Sequence, residues 1–223
     1  MLGRLGRVVS GVGCALVVMA GVLVVAPPAS AEPGGVVISE LNYHPGSDDD
    51  AHEFIELVNT AGTPVDVSGW SFSAGIGGVL GAGVVIPAGG YFVLSPDPVA
   101  FEALYGFAPD GVYSGKLSNG GEEVTLIAGV VDSVTYDDAD PWSPAPDGNG
   151  PSLELRDLRS DNTLPVNWGP STVNGGTPRA VNSLDGTAPP PVVTDAVVSP
   201  AAPAPGEPMM VSARLAQGSS ATL

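Results

Sequence analysis

The sequence predicts an all-β domain, an antiparallel sandwich or barrel built from short strands. Three observations carry that expectation. Short apolar runs recur along the chain, several with period-2 alternation. Turn-forming clusters separate them, within a composition of 31 Gly and 23 Pro among 223 residues. No series of long amphipathic segments alternates with the runs, which excludes a βαβ nucleotide-binding fold.

Taken in chain order, the expected strands are Val36–Asn42, Glu53–Val58, Ser68–Ser73, Gly83–Ile86, Tyr91–Ser95, Glu123–Ile127, Val130–Tyr136 and Ser152–Arg156. In the last of these Leu153 and Leu155 face one way and the polar residues the other. Val124 and Leu126 alternate with Glu123, Thr125 and Ile127. Val130, Asp132, Val134 and Tyr136 are expected to share a face opposite Val131, Ser133 and Thr135. The connectors Asn59-Thr60-Ala61-Gly62, Pro87-Ala88-Gly89-Gly90, Asn119-Gly120-Gly121 and Asp147-Gly148-Asn149-Gly150 supply residues that tolerate turn geometry. One helix is expected, Pro98–Tyr105, with Asp97 as its cap.

Residues 1–31 read as a secretory signal peptide. Arg4 and Arg7 form the basic start, Val8 to Ala26 the apolar stretch, and Ala29-Ser30-Ala31 the cleavage tripeptide before Glu32. An uncleaved anchor is the rival reading, because the apolar run is nearly long enough to span a bilayer. Pro27-Pro28 and the tripeptide favour cleavage, and hence a secreted, extracellular or cell-surface protein. Cleavage removes Cys14, the only cysteine. The mature chain then has no disulfide, thiolate metal site or cysteine nucleophile.

Lys and Arg total 7 against 24 Asp and Glu, a net charge of −17. That balance argues against nucleic-acid binding through phosphates, and against direct binding to anionic membranes once the signal is cleaved. After Asn182 the composition shifts. Residues 184–191 read as a Pro-rich linker, and Val192–Ser199 and Glu207–Leu215 as two further strands. Two strands do not bury their own apolar face. Residues 192–223 are therefore expected to be the incomplete start of a second β-domain, with Ala221-Thr222-Leu223 opening a third strand.

Several segments carry a family resemblance. Val36-Val37-Ile38-Ser39-Glu40-Leu41-Asn42-Tyr43-His44-Pro45 resembles the opening strand of bacterial lamin-tail domains. Glu53-Phe54-Ile55-Glu56-Leu57-Val58-Asn59 and Val65-Asp66-Val67-Ser68-Gly69-Trp70 resemble the next two strands, and Ile86-Pro87-Ala88-Gly89-Gly90-Tyr91 the turn into the fourth. Leu117 to Leu126, Val131 to Tyr136, Asn167-Trp168 and Gly176-Thr177-Pro178, ending at Asn182, continue the pattern in order. The resemblance implies an immunoglobulin-like antiparallel β-sandwich of lamin-tail type over residues 32–183, without catalysis of its own. It implies an accessory or positioning module of exported multidomain proteins, with an unidentified protein or cell-surface partner. The alternative is the N-terminal accessory region of a secreted enzyme of spore-coat kinase-like, nuclease or phosphatase type. One departure is Arg179-Ala180, where the family often has Gly after Pro; it is expected to touch only a surface turn.

The chemistry candidates are few. His44, Asp48, Asp49, Asp50 and Glu53 make an acidic loop with His52 beside it. Oxygen ligands of this kind suit weakly held Ca²⁺, though the spacing is not that of an EF-hand. No other cofactor is expected. His52-Glu53-Phe54-Ile55-Glu56 lacks the second histidine of the H-E-x-x-H zinc motif and lies in an expected strand. A second acidic cluster, Asp137-Asp138-Ala139-Asp140, is either a solvated strand end or part of one shared cation site. Glu40 and Glu56 sit inside apolar strands, where a carboxylate must be paired or hydrogen-bonded. A structural pair or a backbone-capping role is the simpler reading, and acid/base catalysis the rival. Trp70 is expected to plug the core and Trp168 to cover one end. Trp142 is expected to pack as a core or lid residue, with sugar stacking as its alternative.

Overall fold

The computed structural model describes residues 35–128, 130–190, 192–202 and 210–216. The signal-peptide segment 1–31 and the third strand expected at 221–223 lie outside the described residues. The strands in chain order are β1 (Val36–Asn42), β2 (Phe54–Asn59), β3 (Val65–Asp66), β4 (Ser71–Ala74) and β5 (Gly78–Val79). There follow β6 (Val85–Ile86), β7 (Tyr91–Ser95), helix α1 (Pro98–Tyr105), β8 (Gly111–Val112), β9 (Glu122–Ile127) and β10 (Val130–Tyr136). Last come β11 (Pro151–Leu155), β12 (Trp168–Asn174), β13 (Val192–Ser199) and β14 (Met210–Ala216).

Two sheets form an immunoglobulin-like sandwich. The larger has the order β12-β11-β1-β2-β7-β8 and the smaller β10-β9-β4-β5. Pairing is antiparallel except between β7 and β8. At one side Gly77 and Ser114 exchange backbone hydrogen bonds of 2.8 and 2.6 Å, stitching the two sheets together. On the other sheet edge β12 carries Pro170, which has no N–H, and its Thr172 N–H donates to Ser183 Oγ. An edge treated in this way resists adding a foreign strand.

Ile38, Leu41, Leu57, Leu94, Leu126, Val134, Leu153 and Leu155 fill the core between the sheets, with Trp142 and Trp168 packed at 6.2 Å centroid distance. Trp142 is a core residue, as expected. Trp70 is only partly buried and packs against the core cluster rather than filling it. A bulge in β10 between Val130 and Asp132 also shifts the expected alternation, so Val131, Val134 and Tyr136 are the core residues. Asp132 is buried there. Its Oδ2 accepts the Ile38 N–H at 2.6 Å, and both oxygens accept from Asn162 Nδ2 at 2.8 Å. One carboxylate therefore links a bulge of β10 to a bulge of β1.

The outer face of the large sheet is also covered, which accounts for β1 and β2 being buried at every position. Helix α1 lies as the sequence predicts, with Asp97 Oδ1 accepting from Val99 and Ala100 N–H at 3.0 Å. It lays Phe101 on Phe54 and Val93. Phe101 is fully buried, worth about 1.5–3 kcal/mol. The remainder of that face is covered by residues 175–184. The strands that the sequence does not predict are β5 and β8, each only two residues long, and β12, while β3 opens the segment Val65–Trp70 that resembles a lamin-tail strand. β13 and β14 pair as a ribbon, with Val197, Val198, Met210 and Val211 exposed.

Candidate functional site

The acidic loop does not gather its side chains. His44 lies between two aspartates, with Nδ1 2.5 Å from Asp147 and Nε2 3.2 Å from Asp48. Burial alone would lower its pKa, but the hydrogen bonds to Asp147 and Asp48 outweigh this and raise it. Asp49 accepts from Ala51 N–H and caps the short 3₁₀ turn Asp50–His52. Asp50 meets Lys116 at 3.1 Å. Glu53 points inward, where its Oε2 accepts from the Tyr113 hydroxyl and the Leu117 N–H, each at 2.8 Å. Burial pushes Glu53 up to about 7. Among the described residues no three His, Cys, Asp or Glu side chains come together as a metal-binding group, and Asp137, Asp138 and Asp140 form none with the loop. His44, Asp48, Asp49, Asp50 and Glu53 are thus placed in four separate tasks.

The pair Glu40 and Glu56 is real and has a third member. Glu40 stands opposite Glu56 in register across β1 and β2, and opposite Glu154 across β1 and β11. All three are fully buried on the outer face of the sheet. Residues 175–184 form a strap across them. Glu40 Oε1 accepts the Thr177 N–H at 2.8 Å and the Ser152 hydroxyl at 2.5 Å. Glu56 accepts from the Ser39 hydroxyl at 2.8 Å and from the Arg179 N–H at 2.6 Å. Glu154 accepts from the hydroxyls of Thr177 and Ser183 and from the Leu184 N–H. Strand carboxylates thus satisfy backbone donors of a loop that has no strand to pair with. The packed chain continues through Thr187, whose Oγ1 accepts from Arg156 Nη1, inside the stretch read as linker.

Three carboxylates in a row repel one another if all ionise. Glu40 is pushed up to about 8, chiefly by burial and then by Glu56, with Glu154 adding to it. Glu56 is pushed up to about 8 by burial, with Glu154 and Asp110 adding. Every oxygen of the row faces the strap or its neighbours rather than a cleft. The acid/base reading of Glu40 and Glu56 has no substrate-facing surface, and the capping reading explains each contact. Sequence reasoning misses Glu154 because Leu153 and Leu155 flank it, so it reads as the solvent half of an alternating strand.

Arg179 lies in the expected exposed turn and adds tertiary contacts there. Its backbone takes φ +64°, where glycine would be unstrained. Its guanidinium meets Asp110 at 2.6 Å and sits 4.4 Å above the Phe107 ring. Arg179→Gly is expected to be nearly neutral, the relieved backbone offsetting the lost ion pair. Arg179→Ala keeps the strain and loses the pair, costing about 1–2 kcal/mol in a urea titration.

One concave surface lies where the strap begins. A groove of about 670 Å³ is bounded by the end of α1, residues 45–47, the turn 148–150 and residues 173–176. Asn42 forms its floor and is 1% exposed. Its Nδ2 donates to the His52 carbonyl at 3.2 Å and lies 3.5 Å from the Tyr105 hydroxyl, which itself donates to Gly175 O at 2.7 Å.

Residues 29–138 match the family model described as Lamin Tail Domain. No curated protein and no solved structure matches the chain. The matched stretch runs from before β1 through β10, so it takes in two of the three strands that carry the glutamate row. Over that stretch the chain is similar to a lamin tail domain, an immunoglobulin-like module of a non-enzymatic family, and the sandwich fold agrees with that likeness.

Proposed function

We propose that this chain is an exported, non-catalytic module that binds or positions a partner within a larger extracellular or cell-surface protein. The observation that carries the reading is the contrast between its two polar regions. The buried carboxylates are engaged by the strap, whereas the groove beside α1 is open to solvent and has the unpartnered Asn42 Oδ1 beneath it. The basic start, apolar stretch and Ala29-Ser30-Ala31 tripeptide support export.

Two measurements test it. Expression of the full chain in a secreting bacterial host should yield a mature protein beginning at Glu32; cytoplasmic protein with an intact leader overturns export. Hydrogen–deuterium exchange of the secreted chain should show protection around residues 104–105, 147–150 and 173–176 when cell-envelope fragments are added. Unchanged exchange throughout overturns the binding role.

A second reading places the module in front of a secreted enzyme. The exposed valines and Met210 of the β13–β14 ribbon favour it, because a two-stranded ribbon requires a further packing surface.

A further inference from the structure

The groove's lining departs from the rest of the molecule. The chain has 24 acidic residues, yet no Asp, Glu, Lys or Arg lines this surface. Its polar contribution comes from neutral groups: the amides of Asn42, Asn149 and Asn174, the Ser47 hydroxyl and the His52 ring. Leu104, 53% exposed, and Val173, 46% exposed, add apolar surface beside the Tyr105 ring. Glycines at 46, 148, 150, 175 and 176 add no side chains to the lining, and the N–H groups of Gly148, Gly175 and Gly176 donate within the fold.

Asn42 supplies a second, independent observation. Donation from Nδ2 toward His52 O fixes the orientation of the amide, so Oδ1 is the end left over. That oxygen is buried beneath the groove without a hydrogen-bond donor. A buried acceptor of this kind is completed by a water or by a hydroxyl that replaces it.

Deepening the binding role proposed above and resting on it, we infer that the groove recognises an uncharged oligosaccharide. Sugar hydroxyls match side-chain amides that carry no charge, and the C–H faces of the rings match Leu104, Tyr105 and Val173. The volume lies within the usual 300–1,000 Å³ of ligand sites. An anionic glycan finds no cation in the lining and meets the repulsion of a strongly acidic protein.

The test is an amide-resolved NMR titration of the full chain with cellohexaose, maltohexaose and N-acetylglucosamine hexamer, each to 10 mM, alongside an oligogalacturonate hexamer and an uncharged Gly-Ser-Thr peptide. At least one neutral hexamer should shift resonances of residues 45–52, 104–105, 148–150 and 173–176, and the oligogalacturonate should not. Leu104→Glu, at an exposed position, should weaken that binding at least tenfold. Val99→Glu, on the same helix and 79% exposed but outside the lining, should leave it unchanged. No shift with any neutral hexamer overturns the inference, as does equal loss in both variants. If the saccharides fail while the peptide or envelope fragments act on the same residues, the ligand class falls and the binding role stands. If nothing acts there, both fall.

Discussion

Raising the pH from 5 to 9 is expected to lower the thermal midpoint of the chain by about 10 °C. The cause is the glutamate row. Glu40 and Glu56 ionise near 8 in the folded chain against 4.5 for a free glutamate, and Glu53 near 7. Between those limits the folded state holds protons that the unfolded state has released. Stability therefore falls as pH rises through the window from 4.5 to 8 and levels off above it. A proton kept by the folded chain alone across one pH interval corresponds to about 1.4 kcal/mol. Even part of that effect is large against a domain stability of about 5–15 kcal/mol.

General repulsion in an acidic protein slopes the same way, so variants must separate the two. Glutamine keeps the shape and acceptor oxygen of a protonated glutamate. Glu40→Gln and Glu56→Gln are each expected to raise the midpoint at pH 9 by several degrees, to change it little at pH 5, and to flatten the slope. Exposed Glu123→Gln is the control for overall charge. A slope equally steep in wild type and in all variants would remove the row from the explanation.

Gly176→Ala is expected to be strongly destabilising. At φ +84° alanine is strained, by about 1–2 kcal/mol. Its Cβ would also overlap Glu40 Oε1 and lie 2.5 Å from Ser152 Oγ, two atoms already bonded to each other through hydrogen. Relief requires lifting the strap, and the hydrogen bonds at Thr177 lift with it. A total loss of at least about 3 kcal/mol should appear as a lower urea midpoint. Gly186→Ala separates the contributions. That residue has φ +70° and nothing within 4 Å of a Cβ, so it carries the backbone strain alone, about 1–2 kcal/mol. Similar losses at both positions would show that contact with the glutamate row contributes nothing.

Local rules make much of this fold legible. Asp97, Pro98 and the apolar residues that follow define α1 without tertiary information. Strands of five or more residues announce themselves by pattern, as β1, β7 and β10 do. The two-residue strands β5 and β8 carry too few residues for a pattern, and each is defined by its pairing, β5 with β4 and β8 with β7. β12 is hidden differently: Gly169 and Pro170 are poor strand residues, and its place is set by β11. A bulge is equally silent, so alternation misassigns the faces of β10 while placing its limits correctly. The sequence also points to Glu40 and Glu56 as exceptional, since carboxylates inside apolar strands need partners. It does not identify the partners, because Thr177 and Arg179 approach from 137 and 123 residues away. The acidic loop is conspicuous in sequence for its density of charge. In the fold that density serves separate caps and ion pairs.

The strap also imposes an order of events. β1 is the first strand of the domain to be synthesised, and the hydrogen bond from Thr177 to Glu40 spans 137 residues. Its neighbour β11 arrives nearly as late. The centre of the large sheet therefore cannot be completed progressively from the N-terminus, and contacts this distant in sequence go with slow folding. A nascent chain ending before residue 177 has three aligned carboxylates facing absent donors. It has no smaller version of this sheet in which to rest, so the domain commits to structure only when nearly its whole length is present.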